Sequence, residues 1–434
     1  MLRVHGIWIV ALTLSPLYGA GFADVAPVFE KRCVACHQKG EIGPMPLTSY
    51  AEIRPWAKAI RASVLKQSMP PWHADPAKSA HIANSRALTR EEIDRVVRWV
   101  DAGAPEGNGS ATIRVPTAES GWKLGKPDLV VKVPAHMVSA NGVLDYVFLV
   151  SGTTFAEDKW IRAAEWKIDQ RAVVHHMNAF IRPPGSSYLK DAPKGVTYQA
   201  TRAERAARRP DEQETDRREL LLGYEPGYMP IAWENSRGKL LRKGSDIVFE
   251  IHYTPTGKQV ADSSELGIYF APAAPRERVM TITPADANLD IPPGEANYVS
   301  RVSATFQREV ELISLQPHMH FRGKAFTVTA AFPDGRSEPL LHVPKYDFNW
   351  QTTYFLAKPV RLPKGTRLDY TAVFDNSANN PANPDPKKSV QWGDQSFEEM
   401  HVGFTEIAFP ADADPNVAVL SGTTRPKPTA TNLR

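Results

Sequence analysis

Two histidine clusters stand far apart in this chain, His175-His176-Met177 and His318-Met319-His320. Between them His252 sits alone in the run VFEIHYTP, and Met400 follows later in GDQSFEEMHVGF. Five imidazoles and one thioether make a ligand set suited to two copper ions. Imidazole serves copper in either oxidation state, and a thioether is a soft donor that favours Cu(I). Redox-active copper with an open position is one of the ways proteins carry out oxygen chemistry. A third group, Cys33-Val34-Ala35-Cys36-His37, has a different use. Its two thiols are spaced to add across the vinyl groups of haem, and the next histidine is placed to ligate iron. The chain has only these two cysteines, so a zinc site would lack further thiolates. A Cys33–Cys36 disulfide is the plain alternative to haem c. For the sixth iron ligand the expected residue is Met69, in QSMPPWHAD, because a distal thioether must come from a loop well removed from His37. Met45 is too near in sequence, and His73 is the rival.

Strand geometry treats the two clusters differently. Residues i and i+2 face one side of a strand, so His318 and His320 project together while Met319 points into the core. Adjacent residues face opposite sides. His175 and His176 can therefore share a metal only through a bulge or through different ring nitrogens. His81, His136, His342 and His401 fit no such pattern and read as surface or core, with His401 beside Met400 a candidate for contact behind a ligand. Tyr346, Asn349 and Trp350, in VPKYDFNWQ, are candidates to line a cleft, although aromatic residues on a sheet are usually core.

The elements that must hold these residues follow from composition and period. The 434-residue chain is 42% hydrophobic and 23% charged, with a formal net charge of +4. These are values of a globular protein with room for two or three domains, and no basic run with interleaved aromatics suggests nucleic acid. Thirty-seven prolines favour short strands and turns over long helices. Residues 1–23 read as a secretory signal with a positive start, the apolar run IWIVALTLSPL and small residues at Gly21 and Ala23. The expected mature protein is exported, to a periplasm or its equivalent, with no stable membrane span. Residues 24–107 show helical spacing, including a capping box from Thr89 to Glu92, and resemble a monohaem cytochrome c domain. Residues 108–127 read as a linker. From 128 the period becomes two, with strand-like runs through 128–274 and again through 275–420, and a disordered tail over 421–434. The charged stretch TRAERAARRPDEQETDRRELLL reads as a surface excursion. The expected fold class is therefore multidomain, a small all-α cytochrome c domain followed by two all-β sandwich domains.

The order of the motifs adds a family. HHM, then xHY, then HMHxxGK, then GxxSxxEM, spread over roughly residues 128 to 410, resembles the copper type II, ascorbate-dependent monooxygenases. That is the family of peptidylglycine α-hydroxylating monooxygenase and dopamine β-monooxygenase. The resemblance implies two jelly-roll-like domains with one copper each, facing one another across a solvent-filled cleft. It implies that His175, His176 and His252 hold an electron-transfer copper, and that His318, His320 and Met400 hold the copper that activates O2. It further implies hydroxylation of an organic substrate, with ascorbate as reductant. The animal enzymes are rich in disulfides, and this chain has no cysteine to spare for one. Its haem c motif suggests an electron source in the same chain, feeding the three-histidine copper and replacing or supplementing ascorbate or a redox partner. A function of a different class, a non-catalytic copper-binding or electron-transfer protein, is separated from catalysis by Met400. Neither animal substrate carries over from these residues.

Overall fold

In the computed structural model of the chain, the described residues are 21–39, 41–108, 111–115, 121–142, 144–153, 155–201, 204, 218–225, 230–233, 236–393 and 395–421. Nearly all of the expected leader and tail, and most of the charged excursion, lie outside them. The chain divides into two compact units, and each is discontinuous in sequence. The first takes residues 1–39, 43–70 and 87–115; the second takes 40–42, 71–86 and 116–434.

In the first unit α1 (Phe22–Arg32), α2 (Tyr50–Ile53), α3 (Ala57–Leu65) and α4 (Arg90–Asp101) are short. The start of α4 is fixed as its sequence demands. Thr89 accepts from the Glu92 backbone N–H at 3.1 Å while Glu92 accepts from the Thr89 N–H at 2.8 Å, which satisfies two amides that no helical carbonyl can reach. Gly103, at φ +92°, ends the element. Trp99 is fully buried against Phe22 and Phe29, and its indole N–H donates to the Pro105 carbonyl at 2.9 Å. Phe22 is 1% exposed, so the packed core begins two residues before the expected boundary at 24.

The expectation of a distinct all-α cytochrome domain over 24–107 is overturned. Among the described residues strand outweighs helix, 38% against 11%, and the helices are short. Two causes are visible. Pro44, Pro46, Pro55, Pro70, Pro71 and Pro76 interrupt any long helix. Residues 71–86, moreover, leave the first unit and run extended along the second. Asp75 N–H donates to the His342 carbonyl at 2.8 Å, Ala80 to Leu340 at 2.9 Å and Ala83 to Phe355 at 2.8 Å. Trp72 packs edge-on against Tyr354, and Ala74 is buried in the same core.

The second unit departs from the expectation of two separate sandwich domains. A nine-stranded sheet passes through both halves. It joins them where Glu277–Ile282 pairs in parallel with Arg237–Leu241, Glu277 beside Arg237 and Arg278 beside Gly238. The expected boundary between 274 and 275 thus falls at a seam inside one sheet. Two five-stranded sheets supply the other faces. One has the order Thr197–Tyr198, Val147–Val150, Asp246–Tyr253, Val174–Arg182, Glu219–Tyr224; the other runs Ser337–Val343, Gly323–Ala331, Arg367–Phe374, Tyr298–Phe306, Ala418–Ser421. Two cores result. Ile161, Trp166, Met177, Phe249 and Ile268 belong to one, and Leu312, Phe326, Tyr370, Phe374 and Ile407 to the other. Among the described residues no helix is long and apolar enough to cross a membrane.

Candidate metal centre

His175 and His176 lie on the strand Val174–Arg182, beside the strand Asp246–Tyr253 that carries His252. Val174 and Met177 are fully buried and anchor the strand. The ladder pairs Ile251 with Met177 and His252 with His176, then jumps to Tyr253 with Val174. His175 is the residue left over, in a bulge, and this lets neighbouring histidines share one side. A ligand atom from each of His175, His176 and His252 lies within 4.8 Å of the other two. The Nδ1 atoms of His175 and His176 are 3.1 Å apart, a separation suited to joint ligation. The Tyr146 hydroxyl meets His176 Nε2 at 2.8 Å, and its ring stacks on His252 with centroids 4.9 Å apart. Burial disfavours protonation of all three rings. It lowers His175, lowers His176 well below the ordinary value, and pushes His252 down to about 4, with the other histidines adding to the effect on His176 and His252. Neutral imidazole is the form that binds metal. His252 Nδ1 is buried without a hydrogen-bond partner among the described residues, as a nitrogen meant for a metal would be.

The second cluster is built at the end of the strand Val310–His318. His318 and His320 rings lie 5.1 Å apart, nearly perpendicular, while Met319 between them is fully buried in the core. The Tyr346 hydroxyl clamps the turn, accepting from the Met319 N–H at 3.1 Å and donating to the Met319 carbonyl at 2.8 Å. A Cβ on Gly323 would come within 2.7 Å of the Tyr346 ring, so the glycine of HMHxxGK makes room for that clamp. His318 Nδ1 meets Gln351 Oε1 at 2.6 Å, and His320 Nδ1 meets the Glu398 carbonyl at 3.3 Å. Both rings are therefore held through Nδ1, the arrangement in which a histidine can bind a metal through Nε2. His320 Nε2 is buried with no partner among the described residues, and burial first, then His318, lowers that ring well below the ordinary value.

Met400 enters through register. Gln316 pairs with Phe404, Pro317 with Gly403 and His318 with Val402. The ladder ends there, with His320 two residues beyond it on one strand and Met400 two residues before it on the other. Glu399, fully buried, accepts from the backbone N–H groups of His320, of Arg322 at 2.9 Å and of Met400 at 3.1 Å. Burial pushes its carboxyl up to about 7 against those three donors. One side chain thereby ties the His320 turn to the Met400 segment. His401 points away from this site. Its Nδ1 meets the Ser300 hydroxyl at 2.7 Å, and its ring lies edge-on to Phe326.

One aromatic ring touches histidines of both clusters. The Phe348 ring, 8% exposed, lies 5.6 Å from His175, 6.3 Å from His176 and from His252, and 5.9 Å from His320. Its segment also places Asn349 against His175 and Gln351 against His318. Sequence reasoning named Tyr346, Asn349 and Trp350 here but missed Phe348, Gln351, Glu399 and Tyr146. The density of aromatic and amide residues in YDFNWQ was the available signal. A cavity near His318 is lined by Arg86, Glu225, Gln316, Thr352, Phe404 and Glu406, among others, and Phe404 packs edge-on to the His318 ring.

In the first unit CVACH forms the turn that closes α1, with Cys36 and His37 N–H groups both donating to the Cys33 carbonyl. Cys33 and Cys36 are not joined in a disulfide, and burial pushes Cys33 up to about 12. His37 Nδ1 meets the Met45 carbonyl at 3.1 Å, so the protein holds the ring through that nitrogen. A Cβ on Gly43 would lie 2.6 Å from that Nδ1. These residues fit a covalently held haem. Met69 is 39% exposed, and the rival His73 belongs to the second unit.

No family model and no curated protein matches the chain. Among solved structures, infectious bursal disease virus Gx strain overlays at TM-score 0.19 and 11% identity, covering 68% of this chain and 75% of that one. The virus's VP2 subviral particle gives 0.18 and 11%, over 69% and 77%. Overlays this poor carry no argument about fold or function.

Proposed function

We propose that this chain is a copper-dependent monooxygenase that hydroxylates an organic substrate with O2, its electrons arriving through a haem c held by Cys33, Cys36 and His37 with Met69 as sixth ligand. The observation that carries the reading is the inequality of two neighbouring histidine clusters. One gathers three imidazoles; the other pairs two imidazoles, with Met400 just before the strand whose Val402 faces His318 and tied to the His320 turn through Glu399. Bound copper would supply one-electron storage at His175, His176 and His252, and O2 activation at His318, His320 and Met400; bound haem would supply electrons. The protein's own residues do the rest. Burial disfavours protonation of His175, His176, His252 and His320, the bulge at His175 brings adjacent side chains to one side, and Gln351 and the Glu398 carbonyl orient the second pair. Phe348, largely buried, puts one aromatic ring against histidines of both clusters. The cavity beside Phe404 is where this reading seats the substrate, with Arg86 and Glu225 as its polar contacts.

Metal analysis should give two copper and one iron per chain, and copper-loaded protein should consume O2 when supplied with reductant and a substrate from a panel of small organics. Met400→Leu should retain copper at the three-histidine cluster and lose at least tenfold in O2 uptake. Unchanged uptake in that variant would exclude catalysis at His318 and His320 and leave the electron-transfer reading.

A further inference from the structure

Among the buried nitrogens at the centre, two are accounted for by the proposed metals, His252 Nδ1 and His320 Nε2. A third is not. Gln351 is 6% exposed, and its side-chain amide is used on one side only. Oε1 meets His318 Nδ1 at 2.6 Å, whereas Nε2 is buried with no hydrogen-bond partner among the described residues. The side chain is not loosely placed. Its backbone carbonyl accepts from Gln316 Nε2 at 3.0 Å, and the next residue, Thr352, accepts from Arg86 at 3.0 Å. Buried donors are nearly always paired, so an unpaired one needs a reason. The orientation of the amide follows from the chemistry of its neighbour. For His318 to offer Nε2 to a metal as neutral imidazole, its Nδ1 must carry the proton, and the group facing it must be an acceptor. Oε1 is therefore toward the ring and the NH2 group is the end left over.

We infer that Gln351 is a two-ended positioning residue of the His318–His320 metal site. Its carbonyl oxygen fixes the tautomer of His318 that presents Nε2, and its NH2 group donates to an acceptor atom of a small ligand taken beside that ring. The inference rests on the reading of His318, His320 and Met400 as copper ligands. The ligand class is a small species with an exposed lone pair, an inorganic anion or an oxygen-centred molecule, because only an acceptor completes an amide donor.

The experiment uses full-length protein, with copper affinity measured by chelator competition and azide affinity at saturating copper by its charge-transfer absorption. Wild type should take two copper ions. Gln351→Leu should weaken only the second, about 10- to 100-fold, the usual cost of losing a partner behind a ligand. Gln351→Glu keeps the acceptor and should restore that affinity. Both variants lack the donor, so both should bind azide more weakly than wild type. Loss in Gln351→Glu alone would be charge repulsion and would overturn the donor role. Copper retained at His175, His176 and His252 reports that each variant is folded. A Gln351→Leu protein with wild-type affinity for both coppers overturns this inference alone. Wild type that takes no copper at His318 and His320 overturns the underlying reading, and this inference with it.

Discussion

Burial at single residues sets both the chemistry and the pH behaviour of this molecule. Desolvation lowers His175, His176, His252 and His320, favouring the neutral form that metal ligands need. The same force acts with opposite sign on carboxyls. Glu225, in the cavity wall, is pushed up to about 7 by burial, opposed by Arg86 and the Thr353 N–H. Since its folded value lies above the unfolded one, the folded protein binds the extra proton between about pH 4.5 and 7. The stability this contributes is complete below that window and is lost as pH rises through it, by about 3 kcal/mol. Glu225→Gln has no proton to lose. Urea denaturation at pH 5 and pH 8 should show wild type falling by about that amount relative to the variant. Parallel profiles would mean that Glu225 is ionised in the fold.

At the scale of elements, the bulge at His175 is what turns two adjacent histidines into partners. Deleting His175 leaves His176 opposite His252 and Val174 opposite Tyr253, an unbroken ladder. The variant should keep its far-ultraviolet circular dichroism and bind one copper fewer. Two coppers bound by the deletion protein would sink the three-histidine assignment. How much of this was legible divides along physical lines. The capping box of Thr89 and Glu92, the buried Met319 and the need for a bulge at HH all follow from local rules, and sequence reading supplied them. Residues 71–86 were misread because their hydrogen-bond partners lie more than 250 positions away, at Leu340, His342 and Phe355. No local period encodes such pairing. Glu399 and Gln351 escaped for a related reason, since an acidic or amide residue in a loop reads as solvated until its burial is known.

Across the whole second unit, the seam between the halves holds a buried charge. Lys239 is fully buried, with its ammonium 2.9 Å from Glu219, 2.8 Å from the Thr281 hydroxyl and 3.4 Å from Glu406. Removing the cation strands two carboxylates in a dry place. Lys239→Met should cost about 3 to 5 kcal/mol in chemical denaturation. A loss below about 1 kcal/mol would show that the seam tolerates bare carboxylates. The strap of residues 71–86 has a further consequence, for the divisibility of the chain. The molecule cannot be cut into a front piece and a back piece at the apparent linker, because the back piece would be missing one of its own threads. A fragment starting at residue 116 would leave the edge at Tyr354–Leu362 bare and take Trp72 and Ala74 out of a core they help to fill, and open edges of that kind recruit other chains. Size-exclusion chromatography should find that fragment aggregated. The same fragment mixed with a peptide of residues 71–86 should recover monomer, making the strap a transferable part rather than a connector.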